Sequence, residues 1–204
     1  MKLYQMPASP YVRKVLITAI ELGLEDQIER IAAKPHPIQR NMDLVALNPL
    51  GQIPTLRLND GEILSDSRVI CEYFAAQVSD QTIFPEGPRR WQALTEQSVC
   101  DGLLAACLSI RYERSTRSEA QQSADWIGGQ LLRIETVLDM LETRWHSPPE
   151  GFDIGHISVA CALGYLAFRF PEIEIAPRWP ALARWGAAVA GRLSVLVTAP
   201  TEGQ

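Results

Sequence analysis

Strand-like segments are confined to the first third of this 204-residue chain, and everything after them is helical in pattern. That division constrains the fold more than any other feature. Lys2 to Gln5 alternates like a short strand and is cut by Pro7-Ala8-Ser9-Pro10. From Tyr11, apolar residues recur at Val12, Val15, Leu16, Ala19, Ile20 and Leu22, which is helical spacing. Ser9 suits the N-cap, Pro10 the first helical position, and Gly23 the stop. Ile28 to Ile31 reads as a second strand, Pro35 to Arg40 as an irregular loop and Met42 to Leu47 as a short helix. After Asn48-Pro49-Leu50-Gly51, Ile53 to Leu58 forms a third strand. Asn59-Asp60-Gly61 turns it into a fourth, Glu62 to Leu64. Ser65-Asp66-Ser67 caps a helix through Val69, Ile70, Tyr73 and Phe74.

Strands alternating with helices predict parallel pairing, and the closing hairpin adds an antiparallel edge. Beyond Phe84-Pro85-Glu86-Gly87-Pro88, a linker, four helices are expected: Trp91 to Arg114, Ser123 to Trp145, His156 to Phe168 and Pro180 to Val189. A loop, Ser147 to Gly151, separates the second from the third. The architecture is therefore a small α/β half (1–78), a linker (79–87) and an all-helical half (88–204).

Composition excludes several function classes. Apolar residues make up 47% and charged residues 21%, ordinary for a globular chain, and the net charge is −5. Basic residues are scattered, with small clusters at Pro88-Arg89-Arg90 and Arg111 to Arg117, so nucleic acid is not an expected partner. No apolar run approaches the ~20 residues that span a bilayer. Met1-Lys2-Leu3-Tyr4 enters a strand directly, without the apolar core of a signal peptide, so export and membrane anchoring are not expected. Cys71, Cys100, Cys107 and Cys161 form no C-x-x-C pair and lie in apolar helical segments, which predicts buried, reduced thiols. His36, His146 and His156 lack ligand spacing, so no metal is expected.

Several local patterns occur in one order. Ser9-Pro10-Tyr11-Val12-Arg13-Lys14-Val15 follows the first strand. Asn48-Pro49-Leu50-Gly51-Gln52-Ile53-Pro54-Thr55-Leu56 leads into the third. Leu64-Ser65-Asp66-Ser67-Arg68-Val69-Ile70 opens a helix. Ile157-Ser158-Val159-Ala160 and Trp179-Pro180-Ala181-Leu182-Ala183-Arg184-Trp185 stand near the C-terminus. Together they resemble the cytosolic glutathione transferases, particularly the serine-type bacterial members that begin S-P-[YF]-V-R-K. The resemblance spans nearly the whole chain. It implies a thioredoxin-like glutathione-binding half, a helical half supplying the second substrate's pocket, a homodimer and a cytoplasmic, detoxifying role. Glutathione would be the co-substrate, with no metal.

The resemblance also assigns residues, and physical chemistry supports each assignment. It makes the Ile53-Pro54 bond cis and frees the Ile53 main chain to pair with the cysteinyl backbone of a thiol peptide, as an added strand would. Asp66 would face the γ-glutamyl ammonium. Ser67 and the helix N-terminus would hold its carboxylate, while the same groups cap the helix. Ser9 would activate the thiol, because a hydroxyl donor at a helix N-terminus favours thiolate. Tyr4, Met6 and Tyr11 are fallback neighbours, but Tyr4 belongs to the strand and none has the right placement by pattern. Among Lys34, His36, Gln39 and Arg40, position favours Gln39 and Arg40 for the glycine carboxylate, with Gln52 a further polar candidate. Leu104, Leu108, Arg111 and Tyr112 are candidates for the second-substrate pocket, although such a stripe more often serves core or interface. Asp101 is a candidate for reaching glutathione in a partner subunit. One departure from the family stands at Asp153-Ile154-Gly155-His156, where His156 replaces the aspartate of a capping box. It weakens the expected start of the buried helix unless the ring is neutral and turned inward.

The implied activity is attack of glutathione thiolate on a small electrophile, or glutathione-dependent disulfide or peroxide reduction. The alternative is a non-catalytic relative acting as a protein-interaction or ligand-carrier module.

Overall fold

A computed structural model describes residues 1–79, 82–145 and 151–202. The expected loop at 147–151, apart from Gly151, and His146 lie outside the described residues. Four short strands, β1 (Lys2–Gln5), β2 (Glu29–Ala32), β3 (Thr55–Arg57) and β4 (Ile63–Leu64), form one sheet in the order β2-β1-β3-β4. Around it stand α1 (Pro10–Glu21), α2 (Met42–Leu47) and α3 (Ser67–Ala76). The helical half consists of α4 (Gly87–Thr116), α5 (Ala124–Arg144), α6 (Ile154–Arg169), α7 (Ile175–Arg178), α8 (Pro180–Ala190) and α9 (Leu193–Val197). A thioredoxin-like α/β half followed by an all-helical half is the expected fold.

Pairing departs from the βαβ expectation at β3. β1 and β2 are parallel, with Leu3 beside Arg30, but β3 runs antiparallel to β1, with Leu3 beside Leu56. The connection between β2 and β3 holds only the six-residue α2, not a full crossover helix, and enters β3 from the opposite end. Leu3 and Leu56, adjacent in the sheet, are fully buried.

The local signals act as read. Ser9 Oγ accepts from the Val12 amide at 3.3 Å, Pro10 opens α1, and Gly23 closes it at φ +66°. A Cβ is penalised at that angle. Helix α4 begins four residues earlier than expected, because Pro88 is tolerated in a first turn and Gly87 and Pro88 therefore belong to the helix. The five-residue α9 and four-residue α7 were not anticipated, being too short to show periodicity.

Helix α6 is apolar on nearly all sides and packs against both α4 and α1, so it is the central post of the molecule. Its expected weak start is not found. Asp153 Oδ1 accepts from the Gly155 and His156 amides at 3.0 and 3.2 Å, and His156 Nδ1 lies 3.2 Å from the Asp153 amide. Arg89 adds two bonds to Asp153, at 2.7 and 3.0 Å, while bridging to Glu96. Burial opposes the Asp153 charge, yet His156 and Arg89 hold its carboxyl down to about 2.

The two halves share one continuous core. Arg13, buried on α1, donates to the carbonyls of Ala160 on α6 and Val195 on α9 at 3.4 and 2.9 Å, and to Thr198 Oγ1 at 3.4 Å. Among the described residues, no helix is long and apolar enough to cross a membrane.

Candidate active site

A cavity of about 580 Å³ opens where the N-terminus of α1, the β3 entry and the N-terminus of α3 meet α4. That volume lies within the roughly 300–1,000 Å³ usual for small-molecule sites. The α/β wall comprises Met6, Ala8, Ser9, Pro10, Tyr11, Pro35, Gln52, Ile53, Pro54, Asp66, Ser67 and Arg68. From α4 come Ser98, Asp101, Gly102, Ala105, Leu108, Ser109, Arg111 and Tyr112, with Tyr165 from α6. An adjoining hollow of about 590 Å³ shares Gln52, Ile53, Pro54, Asp66 and Arg68 and extends to Asn48, Glu72 and Gln97.

Ser9 is buried and lines the cavity. Its oxygen accepts the Val12 amide, so its proton stays available to a group in the cavity. The Ile53-Pro54 bond is cis, and so is Ser65-Asp66. No hydrogen bond to another described residue engages the peptide N–H or C=O of Ile53. Pro54 follows it, and Asn48 fixes the approach by donating to the Gln52 carbonyl at 3.2 Å and to Thr55 Oγ1 at 3.0 Å.

Asp66 caps α3 through the Arg68 amide at 2.9 Å and pairs with the Arg68 guanidinium at 3.0 Å. Burial raises its carboxyl, but the Arg68 bonds outweigh that and lower it. Ser67 is 2% exposed, lines the cavity, and its hydroxyl bonds to no other described residue. The first turn of α3 thus aims a hydroxyl and backbone N–H groups into the cavity, an arrangement suited to a carboxylate.

On the helical wall, Asp101 meets Lys14 and is pushed upward by burial, with the ammonium opposing. The Tyr11 hydroxyl donates to the Asp101 carbonyl at 3.1 Å, and burial raises its pKa further. Asp101, a candidate for reaching glutathione in a partner subunit, is paired with Lys14 of its own chain.

The structure brings together Ser9, Gln52, Ile53, Pro54, Asp66, Ser67, Asp101, Leu108, Arg111 and Tyr112. Three expected residues stand elsewhere. Leu104 is fully buried in the core, turned from the stripe that carries Leu108. Gln39 is exposed, and its backbone N–H donates to His36 Nδ1 at 2.9 Å. Arg40 bonds to the Pro49 carbonyl at 2.6 Å and lines neither cavity. Arg68, Pro35 and Tyr165 were not anticipated. The small residues Ser98, Gly102, Ala105 and Ser109 recur at intervals of three and four and leave room beside α4, a signal that was available in the sequence. Among the described residues, no cysteine lines either cavity, and no group of three or more His, Cys, Asp or Glu is placed to hold a metal.

Residues 8–77 match the family model of the glutathione S-transferase N-terminal domain, and residues 120–188 match that of the C-terminal domain. The chain belongs to the glutathione S-transferase family. An Escherichia coli relative, the uncharacterized GST-like protein YibF, is 30% identical over 88% of this chain and 86% of its own. A Pseudomonas fluorescens glutathione transferase family member, solved with bound glutathione, is 39% identical with a TM-score of 0.93, covering 98% of each chain. A second structure from that organism, with bound S-(propanoic acid)-glutathione, is 38% identical with a TM-score of 0.88, covering 98% of this chain and 99% of that one.

Proposed function

We propose that this glutathione S-transferase family member binds glutathione in the 580 Å³ cavity and activates its thiol, through Ser9, for attack on a small electrophile. The observation that carries the reading is the convergence of the unengaged Ile53 peptide groups, the Ser67 hydroxyl and the Ser9 proton on one cavity. The glutathione and glutathione conjugate held by the two Pseudomonas structures support it.

The Ile53 main chain pairs with the cysteinyl backbone, and Gln52 offers a polar contact beside it. The γ-glutamyl carboxylate meets Ser67 and the first turn of α3. Its ammonium meets Asp66, in competition with Arg68. Gln39 and Arg40 are assigned to the glycine carboxylate by family resemblance only. A free thiol near pKa ~8.5 is little ionised at neutral pH, so donation from Ser9 and the positive end of α1 shift it toward thiolate. The thiolate then forms the C–S bond with the electrophile. Disulfide or peroxide reduction by the same thiolate is a variant of this chemistry, with no protein thiol in the cavity. The reading includes residues 1–78 as the glutathione half, 79–87 as the linker and 88–204 as the helical half, a homodimer, and a cytoplasmic detoxifying role.

Calorimetric titration with glutathione tests the proposal, with thiolate absorbance of the complex followed against pH. Wild type should bind, Ser67→Ala should bind about tenfold more weakly, and Ser9→Ala should bind but with a higher thiol pKa. No binding at millimolar glutathione overturns the reading and leaves a protein-interaction or ligand-carrier role.

A further inference from the structure

Among the described residues, the helical wall of the cavity carries a cation with no anion. Arg111, half-buried on α4, lines the cavity and makes neither an ion pair nor a hydrogen bond with another described residue. The other cation lining it is committed, Arg68 to Asp66, while Lys14 beneath it is held by Asp101. Glu202 feels the charge of Arg111, but Arg169 engages both of its oxygens.

Tyr165 supplies a second, independent observation. It is 2% exposed, rises from α6 into the same cavity, and its hydroxyl has no partner among the described residues. Burial pushes its phenol up to about 12 against the nearby Arg111 charge, so it stays a neutral donor. A guanidinium and a phenol O–H facing one space present a planar fork of donors and one further proton. That set matches a carboxylate and has no use for an apolar group.

We infer that Arg111 and Tyr165 form a carboxylate subsite in the electrophile half of the cavity, selecting short electrophiles that carry a carboxylate close to the reacting carbon. The inference rests on glutathione occupying the other half, as proposed above. With an α,β-unsaturated carboxylate, the thiolate sulfur bonds to the β-carbon and the C=C π pair moves to the α-carbon and the carboxylate. Arg111 faces the charge that grows there. The α-carbon then takes a proton from water, equal to the one the thiol lost. The product is a thioether acid, and no further reactant is needed.

Two conjugates of matched length test this: S-(2-carboxyethyl)glutathione and S-propylglutathione, titrated by calorimetry into wild type, Arg111→Gln and Tyr165→Phe. Wild type should prefer the acid about tenfold, and Arg111→Gln should erase that preference while holding S-propylglutathione within about twofold. Tyr165→Phe should reduce the preference by a smaller factor. Equal affinities in wild type, or a preference that survives Arg111→Gln, overturn the inference and leave glutathione binding standing. If wild type binds neither conjugate nor glutathione, the proposed function fails along with it. Unchanged S-propylglutathione binding shows that each variant is folded.

Discussion

Lys14 Nζ lies 2.7 and 2.8 Å from the two carboxylate oxygens of Asp101, joining α1 of the α/β half to α4 of the helical half. Lys14 is 1% exposed and lies behind Asp101, which itself lines the cavity. Tyr11, three residues earlier on α1, reinforces the contact through the Asp101 carbonyl. The two walls of the site are thus registered to each other by a buried charge pair, whose partners are expensive to separate and whose net stabilisation is modest.

Removing one partner should therefore cost more than removing both. Lys14→Met leaves Asp101 buried and uncompensated and should destabilise the protein by about 3–5 kcal/mol. Lys14→Met combined with Asp101→Leu should recover most of that loss. Urea unfolding of both single variants and the double variant measures the coupling, and additive losses would contradict this account.

Gly164 on α6 faces Arg13. A Cβ there would stand 1.9 Å from Arg13 Nη1, in the guanidinium's own place. Arg13 is the far end of a flexible side chain but is not free to leave, because it is buried and bonded to Ala160, Val195 and Thr198. Gly164→Ala should cost about 2–4 kcal/mol, since buried carbonyls and a buried charge lose their partners. In an Arg13→Met background the same substitution should cost much less. Thermal unfolding of the four proteins checks this.

What the sequence made legible was local. Ser9, Pro10 and Gly23 set the ends of α1 through chain neighbours alone, and α2 has the expected bounds for the same reason. The direction of β3 was not legible, because strand pairing depends on how residues 33–54 route between strands and not on any residue within them. Of the residues that line the cavity, Ile53, Asp66 and Ser67 were readable from local motifs, a strand-entry proline and a helix N-cap, whose backbone geometry is set by chain neighbours. Tyr165 was hidden, because its place in the cavity comes from α6 packing against α4, a long-range event. Leu104 and Leu108 stand one turn apart, yet a small rotation of α4 puts the first in the core and the second in the cavity. The Asp153-His156 pair read as a defect in isolation, because the Arg89 that completes it lies 64 residues away.

The four cysteines should be inert while the protein is folded. All are buried and free, and burial raises every one of their thiols, to about 12 at Cys71 and Cys107 and to about 11 at Cys161. Thiolate is the reactive form, so a thiol reagent at neutral pH should modify none of them before denaturant is added and all four after. Rapid modification of one thiol in the native protein would contradict the buried placement.

Asp153 should give the protein an acid-sensitive step. Its folded-state carboxyl sits at about 2, below the ordinary 3.8, because the His156 and Arg89 bonds outweigh burial. Between those values the unfolded chain binds more protons than the folded one. The stability contributed by the charge is therefore complete above about pH 4 and is lost as pH falls through about 2. Asp153→Asn keeps a good capping residue but removes the charge, so it should be less stable at neutral pH by about 1.5–3 kcal/mol, the range for a charge-assisted bond. Because Asn does not titrate, the gap between the variant and wild type should narrow as both are acidified and nearly close at about pH 2. Urea unfolding of the two proteins from about pH 6 down to about pH 2 measures the gap directly. A gap of constant size across that range would mean that Asp153 acts through its shape as a cap and not through its charge.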